Sequence, residues 1–299
     1  ADPRAGALDL APLLARPEGG AIRFTGEPQA KADGGDLGER LAADAAPALE
    51  EARLVELAYR IGNRDRAVGA RLGAELGRAF GSGPPPGRVR ASFDGTAGQS
   101  FGAFLARGVR LILTGEANDY VGKGMSGGRI VIRPPDGDAG DPVLAGNTVL
   151  YGATGGELFC AGSAGERFAV RNSGAVAVVE GTGDHACEYM TNGTVVVLGP
   201  TGRNVAAGMT GGRLYVYDSG QRLAERLNGE LVSAERAAAE ELALVRELVE
   251  RHHRYTGSQR AAALLERWDE ELARWWHVAP KDEVAELSSA AEGTATRGS

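Results

Sequence analysis

Cysteine is scarce in this chain, with only Cys160 and Cys187 in 299 residues. That excludes a disulfide framework and points to a reducing compartment. Apolar runs are short, and none approaches the roughly 20 residues needed to span a bilayer. The opening ADPRAGALDL has no basic stretch followed by an apolar one, so it does not read as a secretory signal. Positive charge is in deficit, 33 Lys and Arg against 40 Asp and Glu, and the net charge of -7 argues against a phosphate-backbone partner. These absences lead to the expectation of a cytoplasmic protein. Its 43% hydrophobic and 24% charged residues are those of an ordinary globular chain, long enough for one large domain or two modest ones. Glycine alone is in excess: 45 residues, about twice the usual share of about 7%, and 27 of them fall between positions 91 and 220.

The chain divides into five stretches. Residues 1–43 are rich in Gly, Pro, Ala and charge and are expected to carry little structure of their own. Residues 44–88 read as a helix–strand–helix lead-in. Asp44 is placed to cap a helix over APALEEA, LVELAYRI alternates like a half-buried strand, and AVGARLGAELGRAFG has helical spacing. Gly69, Gly73 and Gly77 recur every fourth residue there, which predicts close packing of one helix face. GSGPPPG at 81–87 marks a boundary. Residues 89–222 form the glycine-rich stretch. Residues 230–285 read as a helical cap. One helix carries Leu242, Val245, Leu248 and Val249 on a face and stops at Gly257. A second, capped by Ser258, runs through RAAALLERWDEELARWW with Leu264, Leu265, Trp268, Leu272 and Trp275 on its apolar side and ends at Pro280. Residues 286–299 are expected to be disordered.

The glycine-rich stretch holds a degenerate repeat. Short apolar runs (VRLILTG, GRIVIRPP, NTVLYGA, RFAVRNSG, AVAVVEG, TVVVLG, GRLYVYD) recur, several of them at intervals of about 18–20 residues, and KGMSGGRIVI at 123 is echoed by AGMTGGRLYV at 207. A period near 20 with short strands and glycine corners predicts stacked units, best fitted by a parallel β-helix.

Several groups invite chemical readings. Gly122, Gly124 and Gly127 spell G-x-G-x-x-G, but the fingerprint needs a helix next, whereas GGRIVI reads as strand. Lys123 is followed by no Ser or Thr, which excludes a P-loop. Asp184, His185, Cys187 and Glu188 are the only ligand-type side chains gathered in one stretch. If that stretch is a strand, His185 and Cys187 share a face. Set against this is a plain corner with a buried Cys and a hydrogen-bonded His. Arg129, Arg167, Arg171, Arg203 and Arg213 sit beside glycine corners, for an anion or, more simply, for surface ion pairs. His252 and His253 read as solvated, and Trp268, Trp275 and Trp276 as packing and partner contacts.

The long motifs AGQSFGAFLARGVRLILTGEANDYVGKGMSGGRIVIRPP and NTVLYGATGGELFCAGSAGERFAVRNSG through GMTGGRLYVYD, flanked by RIGNRDRAVGARLGAELGRAFG and RYTGSQRAAALLERWDE, resemble the C-terminal GXGXG region of the glutamate synthase large subunit over about residues 8–282. The resemblance implies a right-handed, single-stranded parallel β-helix with helical N-terminal and C-terminal flanks. It implies a non-catalytic structural part of an oxidoreductase that makes glutamate from glutamine and 2-oxoglutarate. Its partners would be the glutamine amidotransferase and the FMN-binding synthase domains, which it would hold in place. FMN and an iron–sulfur cluster would sit on those partners. In this chain itself the expectation is no catalytic, cofactor-binding or metal residue. Two alternatives stand beside it. One is the β-helix subunit of a formylmethanofuran dehydrogenase-like complex. The other is a free-standing carbohydrate-cutting β-helix using carboxylates among Asp94, Glu116, Asp119, Glu157, Glu166, Glu180 and Asp184.

Overall fold

The structure is a computed structural model that describes residue 9 and residues 11–15, 36–135 and 140–281. The chain forms two compact units, residues 1–33 and 34–299. In the first, α1 (Ala11–Leu14) is a single turn whose Ala11 N–H donates to the Asp9 carboxylate. The remaining expectations for residues 1–35, and the disorder expected over 286–299, fall outside the described residues.

The second unit opens with α2 (Leu37–Glu50), so residues 37–43 are helical where little structure was expected. Asp44 lies inside α2 rather than capping a helix, and its carboxylate accepts from the Tyr59 hydroxyl at 2.7 Å. Leu37, Leu41, Ala45 and Ala48 bury one face of α2. Next come β1 (Leu54–Ile61) and α3 (Ala70–Phe80). Of the three glycines predicted to line one helix face, Gly69 is the left-handed N-cap of α3, with φ 101°. Gly73 does pack closely: an added Cβ would lie 2.2 Å from the Phe104 carbonyl oxygen, while Gly77 faces open space.

The glycine-rich stretch supplies β2 (Arg88–Ala97), β3 (Val109–Ala117), β4 (Ser126–Arg133), β5 (Val143–Ala145), β6 (Gly155–Ala164), β7 (Ser173–Thr182), β8 (Asn192–Val197) and β9 (Arg213–Tyr217). The tail adds the short α4 (Leu223–Arg226), β10 (Val232–Arg236), α5 (Ala239–Thr256), α6 (Gln259–Glu266), α7 (Trp268–Glu271), a 3-10 turn (Leu272–Arg274) and β11 (Trp275–Pro280). The sheet runs β1-β2-β3-β4-β6-β7-β8-β9-β11-β10, with β5 beside β3 and β6. From β1 to β9 every pairing is parallel, and β11 and β10 close the sheet antiparallel.

This corrects the expected fold. The architecture is a mixed parallel and antiparallel sheet of 11 strands with a few helices, not a right-handed single-stranded parallel β-helix. The repeat of about 20 residues is present as the strand-to-strand interval. Apart from β5, however, each repeat gives one strand to one sheet path. The glycine-bearing connections do not form further ladders, because their backbone alternates between left- and right-handed conformations that a β-strand cannot adopt. The second tail helix is also corrected. Ser258 does cap α6, accepting from Ala261 N–H at 2.9 Å, and Gly257 does stop α5 with φ 73°. Beyond Glu266, though, the helix breaks, and Trp275 and Trp276 lie on β11, paired with Val216 and Tyr217 of β9. Pro280 therefore ends a strand.

Two apolar cores follow from strand alternation. On one face Leu111, Ile130, Leu158, Ala177, Val195 and Leu214 join residues of α2 and α3. On the other, Phe159, Val178, Val196 and Tyr215 meet Val245, Leu248, Leu264 and Trp275 of the tail.

Candidate functional site

The connections between strands carry the feature that the glycine motif encodes. In six of the connections the first, third and fifth residues of a pentapeptide have positive φ, between 54° and 69°. They are Ser100, Gly102 and Phe104; Tyr120, Gly122 and Gly124; Thr148, Leu150 and Gly152; Arg167, Ala169 and Arg171; His185, Cys187 and Tyr189; Asn204, Ala206 and Gly208. Their N–H groups bond from one connection to the next. Tyr120 donates to the Asn147 carbonyl and Gly124 to that of Tyr151, both at 2.8 Å, while Gly122 between them reaches back to Phe101 at 2.9 Å. Thr148, Arg167 and His185 repeat the forward bond, and Leu150, Ala169 and Cys187 the backward one. A left-handed residue other than glycine costs about 1–2 kcal/mol. Each such bond returns about 0.5–1.5 kcal/mol net, so the stacking of connections offsets the strain.

This geometry disposes of the dinucleotide reading. Gly122, Gly124 and Gly127 run into β4, so no helix N-terminus is there to receive a pyrophosphate. An added Cβ at Gly124 would lie 2.8 Å from the Phe104 ring, and the Lys123 ammonium sits 5.3 Å from the Tyr120 ring centroid. The glycines make room for protein.

The Asp184–Glu188 stretch is a turn, not a strand, so the alternation that would have put His185 and Cys187 on one face does not apply. Cys187 is fully buried, and burial pushes its thiol up to about 12. His185 is partly exposed, with Nδ1 2.9 Å from the Asn204 amide nitrogen. Asn204 in turn accepts from Asn228 through its amide oxygen, so its nitrogen is the donor and Nδ1 the acceptor. The Arg203 backbone N–H at 2.7 Å and then its guanidinium hold the Asp184 carboxyl below its ordinary value. Among the described residues no three His, Cys, Asp or Glu side chains gather as a metal site.

Arg129, Arg167 and Arg203 are engaged by Glu157, Glu188 and Asp184, at 2.5, 3.8 and 3.0 Å. Arg171 lies against the Tyr189 ring. Six of the seven candidate carboxylates are similarly committed. Asp94 pairs with Arg60, Glu116 accepts from Thr96, and Asp119 accepts the Asn147 N–H. Glu157 takes both Arg129 and Arg251. Burial opposes its ionisation, but the hydrogen bonds from Arg251 and Arg129 outweigh it and leave the carboxyl below its ordinary value.

A buried polar cluster escaped the reading of the sequence. Glu180 accepts from Ser258 Oγ and faces His252 Nε2 at 3.3 Å and Arg260 Nε at 3.7 Å. His252, expected to be solvated, is fully buried, and burial holds it below its ordinary value, against the pull of Glu180. Only the β7–α5 packing brings these residues together, so no spacing rule could have found them. Glu180, Ser258 and Arg260 border a polar cleft of about 1020 Å³ also lined by Tyr217, Arg267 and Arg274.

The iron–sulfur cluster implied by the resemblance does not fit these residues. An iron–sulfur cluster is held by cysteine thiolates, four in the common types. Cys160 and Cys187 are both fully buried, with thiols raised by that burial.

The profile described as "GXGXG motif" matches residues 36–281. The chain is 52% identical over 232 residues to the ferredoxin-dependent glutamate synthase of Pyropia yezoensis, covering 76% of this chain and 15% of that protein. It is 46% identical over 286 residues to the glutamate synthase [NADPH] large chain of Azospirillum brasilense, 94% of this chain and 19% of that one. It is also 46% identical over 290 residues to the glutamate synthase [NADH] of Schizosaccharomyces pombe, 94% and 14%. The chain thus spans less than a fifth of the length of these relatives. The formylmethanofuran dehydrogenase-like and carbohydrate-cutting alternatives are not favoured by these matches.

Proposed function

The chain belongs to the GXGXG family and is homologous to a region of glutamate synthases, and from that premise we propose that it is a non-catalytic framework of such an enzyme. It would hold the glutamine amidotransferase and the FMN-binding synthase portions at a fixed separation while ammonia released from glutamine is added to 2-oxoglutarate. FMN and the iron–sulfur cluster belong to those portions, and the whole works in the cytoplasm. No helix among the described residues is long and apolar enough to cross a membrane.

The observation that carries this reading is the commitment of the glycine motif to backbone bonding. The residues that give the family its signature spend their N–H groups on neighbouring connections. A stack bonded in this way, with parallel strands in register from β1 to β9, deforms little, and rigidity is what positioning of two reacting sites requires.

The test is reconstitution. The chain is mixed with the remaining polypeptide of a glutamate synthase lacking the matching region, and glutamine-dependent glutamate formation is measured. Restoration of activity, with flavin and iron found only on the added polypeptide, is the expected result. Flavin or iron retained by this chain alone, or activity of the remainder that is indifferent to it, contradicts the proposal.

A further inference from the structure

One row of the sheet places like charges side by side. Glu56, Arg90, Arg110, Arg129 and Glu157 are consecutive register partners on β1, β2, β3, β4 and β6. Neighbouring strands lie about 4.8 Å apart, and like charges directly opposite destabilise a sheet. The outer arginines are each answered: Arg90 by Glu56 at 3.0 Å and Arg129 by Glu157 at 2.5 Å. Arg110, between them, is not. Among the described residues it has no carboxylate within ion-pair range, and its guanidinium lies 5.7 Å from the Tyr255 ring centroid. Burial, and then repulsion from Arg129 and Arg90, lowers its proton affinity below the ordinary value. A half-buried cation under this strain calls for an anion.

The surroundings are shaped to receive one. Arg110, Arg90, Arg133, Arg254 and Tyr255 line an open cavity of about 360 Å³, together with Glu56, whose carboxylate is already taken by Arg90. Arg133 and Arg254 likewise have no carboxylate partner among the described residues, and Arg133 donates only to Thr114 at 3.1 Å. α5 packs over β4, β6 and β7 and ends at Thr256, so the same face of β1–β3 is left open, with Arg90, Ser92 and Asp94 exposed. Counting Arg129 and Arg251, six arginines here meet Glu56, Glu157 and Glu247, a local positive excess in a chain of net charge -7.

We propose that the cavity around Arg110 is the docking point for an Asp or Glu side chain on an acidic segment of the remaining glutamate synthase polypeptide. This rests on the framework reading above and names one of its contacts. Two things identify the occupant. Charge complementarity asks for a carboxylate, for which the paired guanidinium forks are suited. The chain also covers only 14–19% of relatives such as those of S. pombe and A. brasilense, so most of the polypeptide that could supply the carboxylate lies outside it.

The test is the affinity of the chain for that remaining polypeptide, measured by biolayer interferometry at low and high salt. Loss of a desolvated charge pair weakens binding by about tenfold or more, so Arg110→Gln is expected to do so and Arg110→Glu to do worse. Wild-type binding should fall with salt, and Arg60→Gln, on the same face but outside the cavity, should bind as wild type. Arg110→Gln should not lower the melting temperature, since it relieves repulsion. If it does, Arg254→Gln at the helix end carries the test instead. Variants that fold and bind like wild type within about twofold overturn the docking site while leaving the framework reading intact. A wild-type chain that does not bind at all overturns both. Two other occupants would also overturn it. One is free dicarboxylate, seen as an Arg110-dependent rise in melting temperature with 10 mM glutarate, about the scale of weak single-site binding. The other is the chain's own aspartates, seen if Asp136→Asn with Asp138→Asn abolishes the effect of Arg110→Gln.

Discussion

Between Arg88 and Tyr217 the chain combines an apolar core with backbone bonds from repeat to repeat, whereas from Ala239 to Pro280 it is held mainly by side chains. In the first region, ladder and connection bonds run from one repeat to the next, and small residues let the backbones approach. In the second, Leu248, Leu264, Trp268 and Trp275 are buried against Phe159, Val178 and Tyr215. The first is intolerant of added atoms and the second of lost ones. All three tryptophans, Trp268, Trp275 and Trp276, lie in the second region, so their fluorescence reports it separately from the strand signal in circular dichroism.

Four substitutions or conditions sharpen that contrast. The largest effect is expected from Trp275→Ala, which empties a fully buried site and should cost about 3–5 kcal/mol in urea unfolding. Its fluorescence transition should move to lower urea further than the strand transition does. Coincident shifts would show that the two regions melt as one. Gly115→Ala comes next. Its φ is 136°, and an added Cβ would lie 2.0 Å from the Gly95 carbonyl oxygen on the paired strand. Strain of about 2–4 kcal/mol should appear first in the strand signal, reversing the order seen for Trp275→Ala.

Acid should act at the seam between the regions. The folded state holds His252 below its ordinary 6.5 by burial, so the unfolded chain takes up a proton first. Stability is therefore full above 6.5 and falls as pH drops from there toward the lowered folded value. Glu157 adds a second loss at lower pH. Its folded carboxyl lies below 4.5, so its contribution, present above 4.5, disappears as pH falls through the folded value. Melting temperatures from pH 7.5 to 5 should decline in the wild type and flatten in His252→Gln. The smallest effect, and the only gain, is Gly77→Ala. This site lies in α3 and faces open space, so the change should add about 0.5–1 kcal/mol, in direct contrast to Gly115→Ala.

Sequence reading succeeded where local rules decide. LVELAYRI alternates and is β1; Gly257 and Ser258 punctuate α5 and α6 as their chemistry requires. It failed where tertiary pairing overrides propensity. The segment ending in Trp275 and Trp276 has helical spacing, yet those residues pair with β9 and fill the second core. The interval of the repeat was legible, but the fold built on it was misjudged. Leucine, arginine, histidine and tyrosine share the left-handed positions with glycine, so composition did not reveal that the connections are turns. Arg129 attracted attention beside its glycines, but the more strained Arg110 did not, because only strand register shows that three arginines are neighbours.

The central claim, that the chain positions two reacting portions without chemistry of its own, is tested most directly by loosening the stack within an assembled glutamate synthase. Gly115→Ala in that assembly should leave flavin and iron content and ammonia-dependent glutamate formation near wild type, while glutamine-dependent formation falls and free ammonia escapes. Loss of flavin, or an equal fall in both activities, would mean that this region takes part in the chemistry, and the claim would be wrong.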